Sequence, residues 1–143
     1  LKIKTISEAL DCEPEYEFEV ISIVTSLKDY RLCWLLNKHL RLDFFRMDDL
    51  AVPLPRKKKN GYFTRYAFND EVEKMNYALL ANKSEGNLLL PELKTVDYIL
   101  KMEGYLKEEK KEQFMETLKQ APFLEAVFGN ALSELKSKDN LLF

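Results

Sequence analysis

Two alternating runs joined by a turn constrain the fold of this chain most. In GYFTRYAF, residues 61–68, Tyr62, Thr64, Tyr66 and Phe68 fall on one face, with Phe63, Arg65 and Ala67 on the other. In KMNYALLAN, residues 74–82, Met75, Tyr77, Leu79 and Ala81 share a face. A period of two is that of a half-buried strand. Asn69-Asp70 lies between the runs and supplies turn chemistry, so they are expected to form an antiparallel hairpin.

Further elements surround that hairpin. FEVISIVTS, residues 18–26, carries a β-branched run from Val20 to Val24 suited to an interior strand. In SLKDYRLCWLLNKHL, residues 26–40, Ser26 and Asp29 match a capping pattern, and Leu32, Leu35, Leu36 and Leu40 recur at helical spacing. A helix is expected over 27–40. LDFFRM, residues 42–47, reads as a short aromatic strand, and NKSEGN, residues 82–87, as a polar loop. In LLPELKTVDYILKMEG, residues 89–104, Val96, Tyr98, Leu100 and Met102 have the rhythm of one strand face, with Pro91 marking its start or an edge.

After Gly104 the pattern turns helical. KEEKKEQFMETLKQ, residues 107–120, is rich in helix formers and carries Phe114, Met115 and Leu118 as an apolar stripe. Ala121-Pro122 interrupts it. Beyond that, two readings stand. Leu124, Val127, Phe128, Ala131, Leu132 and Leu135 have helical spacing, whereas FLEAVF, residues 123–128, can be a last strand ended by Gly129-Asn130. Periodicity favours the helix.

The expected fold is α+β in one domain: a mostly antiparallel sheet of about five strands, with two or three helices on one face. At 143 residues the chain has the length of a single domain. Residues 1–16 read as a loosely attached lead-in and 17–143 as the domain. Net charge is −2 and only four glycines are present, which weighs against a global field for nucleic acid and against phosphate-cradling loops. Cys12 and Cys33 lack metal or disulfide spacing, and no signal-like or membrane-spanning apolar run is present, so a cytoplasmic protein is expected. No cofactor is expected.

LLPELKTVDY, residues 89–98, resembles the signature of the IPExxxVDY family of small bacterial proteins. Pro91, Glu92, Val96, Asp97 and Tyr98 match its named letters, and Leu90 stands where the isoleucine would be. DYRLCWLLN (29–37, opening Asp29, Tyr30, Arg31) and LKSKDNLLF (135–143) are also similar to the family's pattern, so the resemblance spans about 18–143. It implies no assigned activity, cofactor or catalytic residue.

Three functional readings follow. Glu92 and Asp97 can act as structural acids, one in a turn and one bridged to a cation such as Arg31, or as a catalytic pair, which needs a pocket and shifted acidity. His39, the one histidine, suits a helix end. Arg56, Lys57, Lys58 and Lys59 precede Tyr62, Arg65 and Tyr66, a basic and aromatic mixture that can hold single-stranded nucleic acid or simply blunt a hairpin tip. The apolar end Leu141, Leu142 and Phe143 calls for docking on the chain's own sheet or on a neighbour. A non-enzymatic interaction module, homodimeric through a sheet edge or this tail, is the favoured expectation. An RNA-binding accessory protein comes next, and an enzyme using Glu92 and Asp97 third. No membrane partner or small-molecule ligand is expected.

Overall fold

The structure, a computed structural model, describes residues 18–143. The expected lead-in of 1–16 lies outside the described residues. The strands are β1 (Phe18–Val24), β2 (Phe45–Leu54), β3 (Lys59–Asp70), β4 (Met75–Ala81), β5 (Lys83–Ser84), β6 (Asn87–Leu88), β7 (Tyr98–Gly104) and β8 (Ala126–Asn130). The helices are α1 (Asp29–Leu40) and α2 (Glu108–Lys119). Six strands form one antiparallel sheet in the order β2-β3-β4-β7-β1-β8, while β5 and β6 form a small separate hairpin. The fold is α+β, with six strands where about five were expected.

The β3–β4 hairpin forms as its alternation requires, with Asp70 opposite Met75. Asp70 Oδ1 accepts from the backbone N–H groups of Val72 and Glu73, which turns the chain. The polar loop contains its own hairpin: Glu85 and Gly86 both have positive φ, at 48° and 81°, as a two-residue primed turn demands.

Each face of the sheet has its own core. On the first, Ile21, Ile23, Tyr66, Tyr77, Leu79 and Leu100 meet Leu32, Cys33 and Leu36 of α1 and Leu118 of α2. Phe114 and Met115 pack at its margin, completing the stripe expected of α2. On the second, Val20, Phe63, Leu80 and Ile99 are covered by Leu89, Leu90, Val96, Leu135 and Leu141, which come from loops. Fully burying such side chains contributes about 1.5–3 kcal/mol each. The sheet is therefore covered by helices on one side and by two irregular segments on the other.

Three local expectations are corrected. Ser26 does not cap α1: Lys28 holds the cap position without a side-chain bond, and Thr25 Oγ1 accepts from the Leu27 N–H instead. Val96 does not share a strand face with Tyr98, because β7 starts at Tyr98 and Val96 enters the second core from the preceding turn. Pro91 is likewise in a turn, closed by the Leu93 N–H donating to Leu90 O at 2.9 Å, and not at the strand start.

Within the open range 122–135, Ala126–Asn130 is a strand that includes Gly129 and Asn130, Leu132–Glu134 is a 3-10 turn, and the helix that periodicity favours does not form. β1 is buried on both faces, and β7 satisfies only one of its two edges. A buried strand edge needs backbone partners. β8 supplies them from Val20↔Asn130 to Val24↔Ala126, and the Glu125 N–H adds a bond to Val24 O at 2.9 Å. This long-range demand overrides the local helical period.

Candidate interaction surface

The acids that stood out in the sequence are structural ties facing different segments. Asp97 Oδ2 accepts from the Thr25 N–H at 2.9 Å, and its Oδ1 pairs with Lys83 Nζ at 3.0 Å. Glu92 Oε2 accepts from the Ser137 N–H at 2.7 Å, which joins the 89–97 loop to the C-terminal segment. The expected pairing with Arg31 does not form: its guanidinium lies 5.3 Å from the Trp34 ring centroid on the outer side of α1. Trp34 is a planar partner one helical turn away, whereas the Asp97 site is already closed by Lys83. Tyr98 and Asp29 are also internal fittings, whereas Tyr30 is 65% exposed on α1. Tyr98 donates its hydroxyl to Leu27 O at 2.7 Å, and Asp29 accepts from the Tyr66 hydroxyl at 3.0 Å.

Asn82, which sequence reasoning passed over as a loop residue, organises the whole 89–97 segment. It is fully buried. Its Nδ2 donates to Leu93 O and Val96 O at 2.8 and 2.9 Å, and its Oδ1 accepts from the Leu90 N–H at 2.8 Å. An asparagine directly after an apolar strand was the available signal, since a buried amide must find partners for both ends.

Neither the histidine nor the described cysteine is set up for nucleophilic chemistry. His39 Nε2 donates to Thr117 O at 2.6 Å and its ring meets Phe123 edge-on, tying α1 to the end of α2. Cys33 is buried, and burial pushes its thiol up to about 11, which suppresses the thiolate that reacts.

The basic segment is divided by the fold. Pro55–Lys57 forms a 3-10 turn, and Lys58 follows it with φ at 52°. Arg56 and Lys57 line an open cleft with Lys136 of the C-terminal segment, between Pro53, Pro55 and Pro91. Tyr62 is exposed, but Tyr66 is buried on the helix side and Arg65 projects to the opposite face. The aromatic and cationic side chains of the expected stacking platform are thus not brought together.

The C-terminal residues divide as well. Leu141 is fully buried in the second core, so it belongs to the chain's own fold. Leu142 and Phe143 remain partly exposed, and Phe143 lies over the sheet with Lys101 Nζ 3.9 Å from its ring centroid and Arg65 at 5.5 Å. Beside Phe143, this face is open among the described residues. Phe45, Met47 and Phe143 rim a groove of about 350 Å³ whose floor includes Ala67 and Ala78. Phe45 is 56% exposed and Phe143 48%, high values for aromatic side chains beside a covered core.

The neighbouring edge is protected. β2 carries a bulge between Met47 and Leu50, and Pro53 interrupts its donor row. Arg46 donates to Met47 O at 2.7 Å and to Arg65 O at 3.3 Å, and Arg65 donates to Asp48 O at 3.0 Å, so the guanidinium groups hold the bulge against β3. Such devices discourage edge-to-edge pairing. Among the described residues, no helix is long and apolar enough to cross a membrane and no cluster of metal-ligating side chains occurs. Compared with protein-family models and with curated proteins, the chain matches none.

Proposed function

We propose that this protein is a non-enzymatic interaction module that docks a second copy of itself through the rim of Phe45, Met47 and Phe143. The observation that carries this reading is the contiguous exposure of these apolar side chains at an end of the second sheet face that the described residues leave uncovered. Apolar patches of this kind mark contact surfaces. Self-association suits the patch because Arg65 and Glu103 line the same groove and place both signs of charge beside it, as a two-fold, self-complementary contact requires. The protected β2 edge favours contact through the face over strand addition. A dilution series read by NMR tests this: the side-chain signals of Phe45, Met47 and Phe143 are expected to move with concentration, while those of Tyr30 and Trp34 stay fixed. Rim signals that ignore concentration would contradict it.

A second reading is favoured by one observation, the convergence of Arg56, Lys57 and Lys136 on a single cleft. Three cations from two segments, the 55–57 turn and the C-terminal segment, suit a phosphate backbone, and this reading predicts RNA binding that weakens steeply with added salt. A flat titration with short single-stranded RNA at low salt removes it. The resemblance to the IPExxxVDY family fits either reading, since Glu92, Asp97 and Tyr98 serve the scaffold in both.

A further inference from the structure

The floor of the groove has chemistry that docking of the rim does not use. Ala67 and Ala78 are directly opposed in the β3–β4 register, and their small side chains leave the trough open. Lys101 is the next residue in the same cross-sheet row, opposite Ala78 on β7. It is only 4% exposed. Its carboxylate neighbour is Glu103, 3.4 Å away and itself half in water. The rings of Phe18 and Phe143 enclose the ammonium, with centroids at 4.8 and 3.9 Å. Arg65 approaches Phe143 as well. Two cations and one partly solvated carboxylate therefore converge at the edge of an apolar trough.

We propose that this groove is a binding site for a small amphiphilic carboxylate. The ligand's carboxylate accepts from Lys101 Nζ and the Arg65 guanidinium, and its apolar body lies on Ala67 and Ala78 against Phe45. Pockets of this size, mostly apolar with a few converging polar groups, suit small molecules of that class. Charge complementarity selects the anion: among the described residues the buried ammonium is balanced by two rings and the partly solvated Glu103, and a ligand carboxylate offers a charge-assisted hydrogen bond in place of a cation–π contact. Phe143 is half-exposed and forms the movable wall, turning off Lys101 as the ligand enters.

The inference goes beyond the docking reading. It is measured below any self-association concentration, so failure of either leaves the other standing. The probes are 2-naphthoate and its uncharged isostere 2-naphthamide, titrated at neutral pH with backbone amide shifts as the readout. Naphthoate is expected to shift Ala67, Ala78 and Lys101 and to bind at least about tenfold more tightly than the amide. Lys101→Met should erase that preference, and Ala78→Phe should abolish binding of both probes by filling the floor. If Lys101→Met does not fold, Arg65→Met supplies the charge test and should weaken naphthoate alone. Equal affinity for acid and amide, shifts centred elsewhere, or no shifts at saturating naphthoate would overturn the proposal.

Discussion

Asp97 and Thr25 are 72 residues apart in the chain, yet the carboxylate of one accepts the backbone N–H of the other at 2.9 Å. The turn from β1 into α1 is thus held by the residue that leads into β7. A hydrogen bond to a charged group contributes about 1.5–3 kcal/mol, while the half-exposed Lys83 partner adds only ~0–1 kcal/mol. Asp97→Ala is expected to lower stability by about 2 kcal/mol in urea denaturation, and Lys83→Ala by well under half of that. Equal losses would mean that the ion pair, and not the backbone bond, is what matters.

Asn82 has the larger structural role. Removing its side chain leaves Val96 O and the Leu90 N–H without that partner, while Leu93 O keeps the Val96 N–H, and each unpaired buried group costs about 1–3 kcal/mol. Asn82→Ala should therefore cost about 3 kcal/mol or more. Because the 89–97 loop covers the second core, amide exchange there should accelerate more than in α1. A variant with normal exchange in that loop would contradict the central place given to Asn82.

The tail separates into a buried anchor and an exposed end. Leu141→Ala should cost about 2–5 kcal/mol, as truncation in a packed core does, and lower the melting temperature by several degrees. Leu142→Ala should have little effect. Deleting 141–143 is expected to destabilise the fold in proportion to Leu141, with a monomer that still forms. Comparable losses at Leu141 and Leu142 would show that the anchor is assigned to the wrong side chain.

Burial lowers the affinity of Lys101 for its proton below that of a free lysine, and Glu103 only partly opposes this. The unfolded chain then binds more protons between the folded pKa and the ordinary 10.5, so this group makes stability rise with pH through that window. Lys101→Met is expected to stabilise the protein at neutral pH, with the gain shrinking as pH approaches 10.5. Cys33, Tyr66 and Tyr98 have the opposite trend, since burial raises them to about 11, 12 and 12 and their contribution is lost at high pH. Those groups are common to both proteins, so the difference between variant and parent melting curves isolates Lys101. A difference that does not change with pH would contradict the sign.

What was legible in the sequence was whatever short-range periodicity controls. Met75, Tyr77 and Leu79 announced their strand face, and Phe114, Met115 and Leu118 their helix face, because burial on one side imposes a period locally. β8 was hidden because the reason for it is the open edge of Val20–Val24, more than a hundred residues away. The second core was hidden for a related cause. Leu89, Leu90, Leu135 and Leu141 come from turns, which carry no period. The acids of the 89–97 motif were visible, but Ser137 and Thr25 as their partners depend on how loops meet in space. The rim is assembled from β2 and the chain's last residue, so no single stretch displays it.

Sedimentation velocity over a concentration series tests the proposed docking of the rim most directly. The predicted result is a species that grows from 16.8 kDa toward twice that mass, while Phe45→Ser and Phe143→Ser variants with intact β1–β7 pairing stay at the monomer mass. A parent protein that remains at 16.8 kDa at every concentration, or rim variants that associate as the parent does, would contradict it.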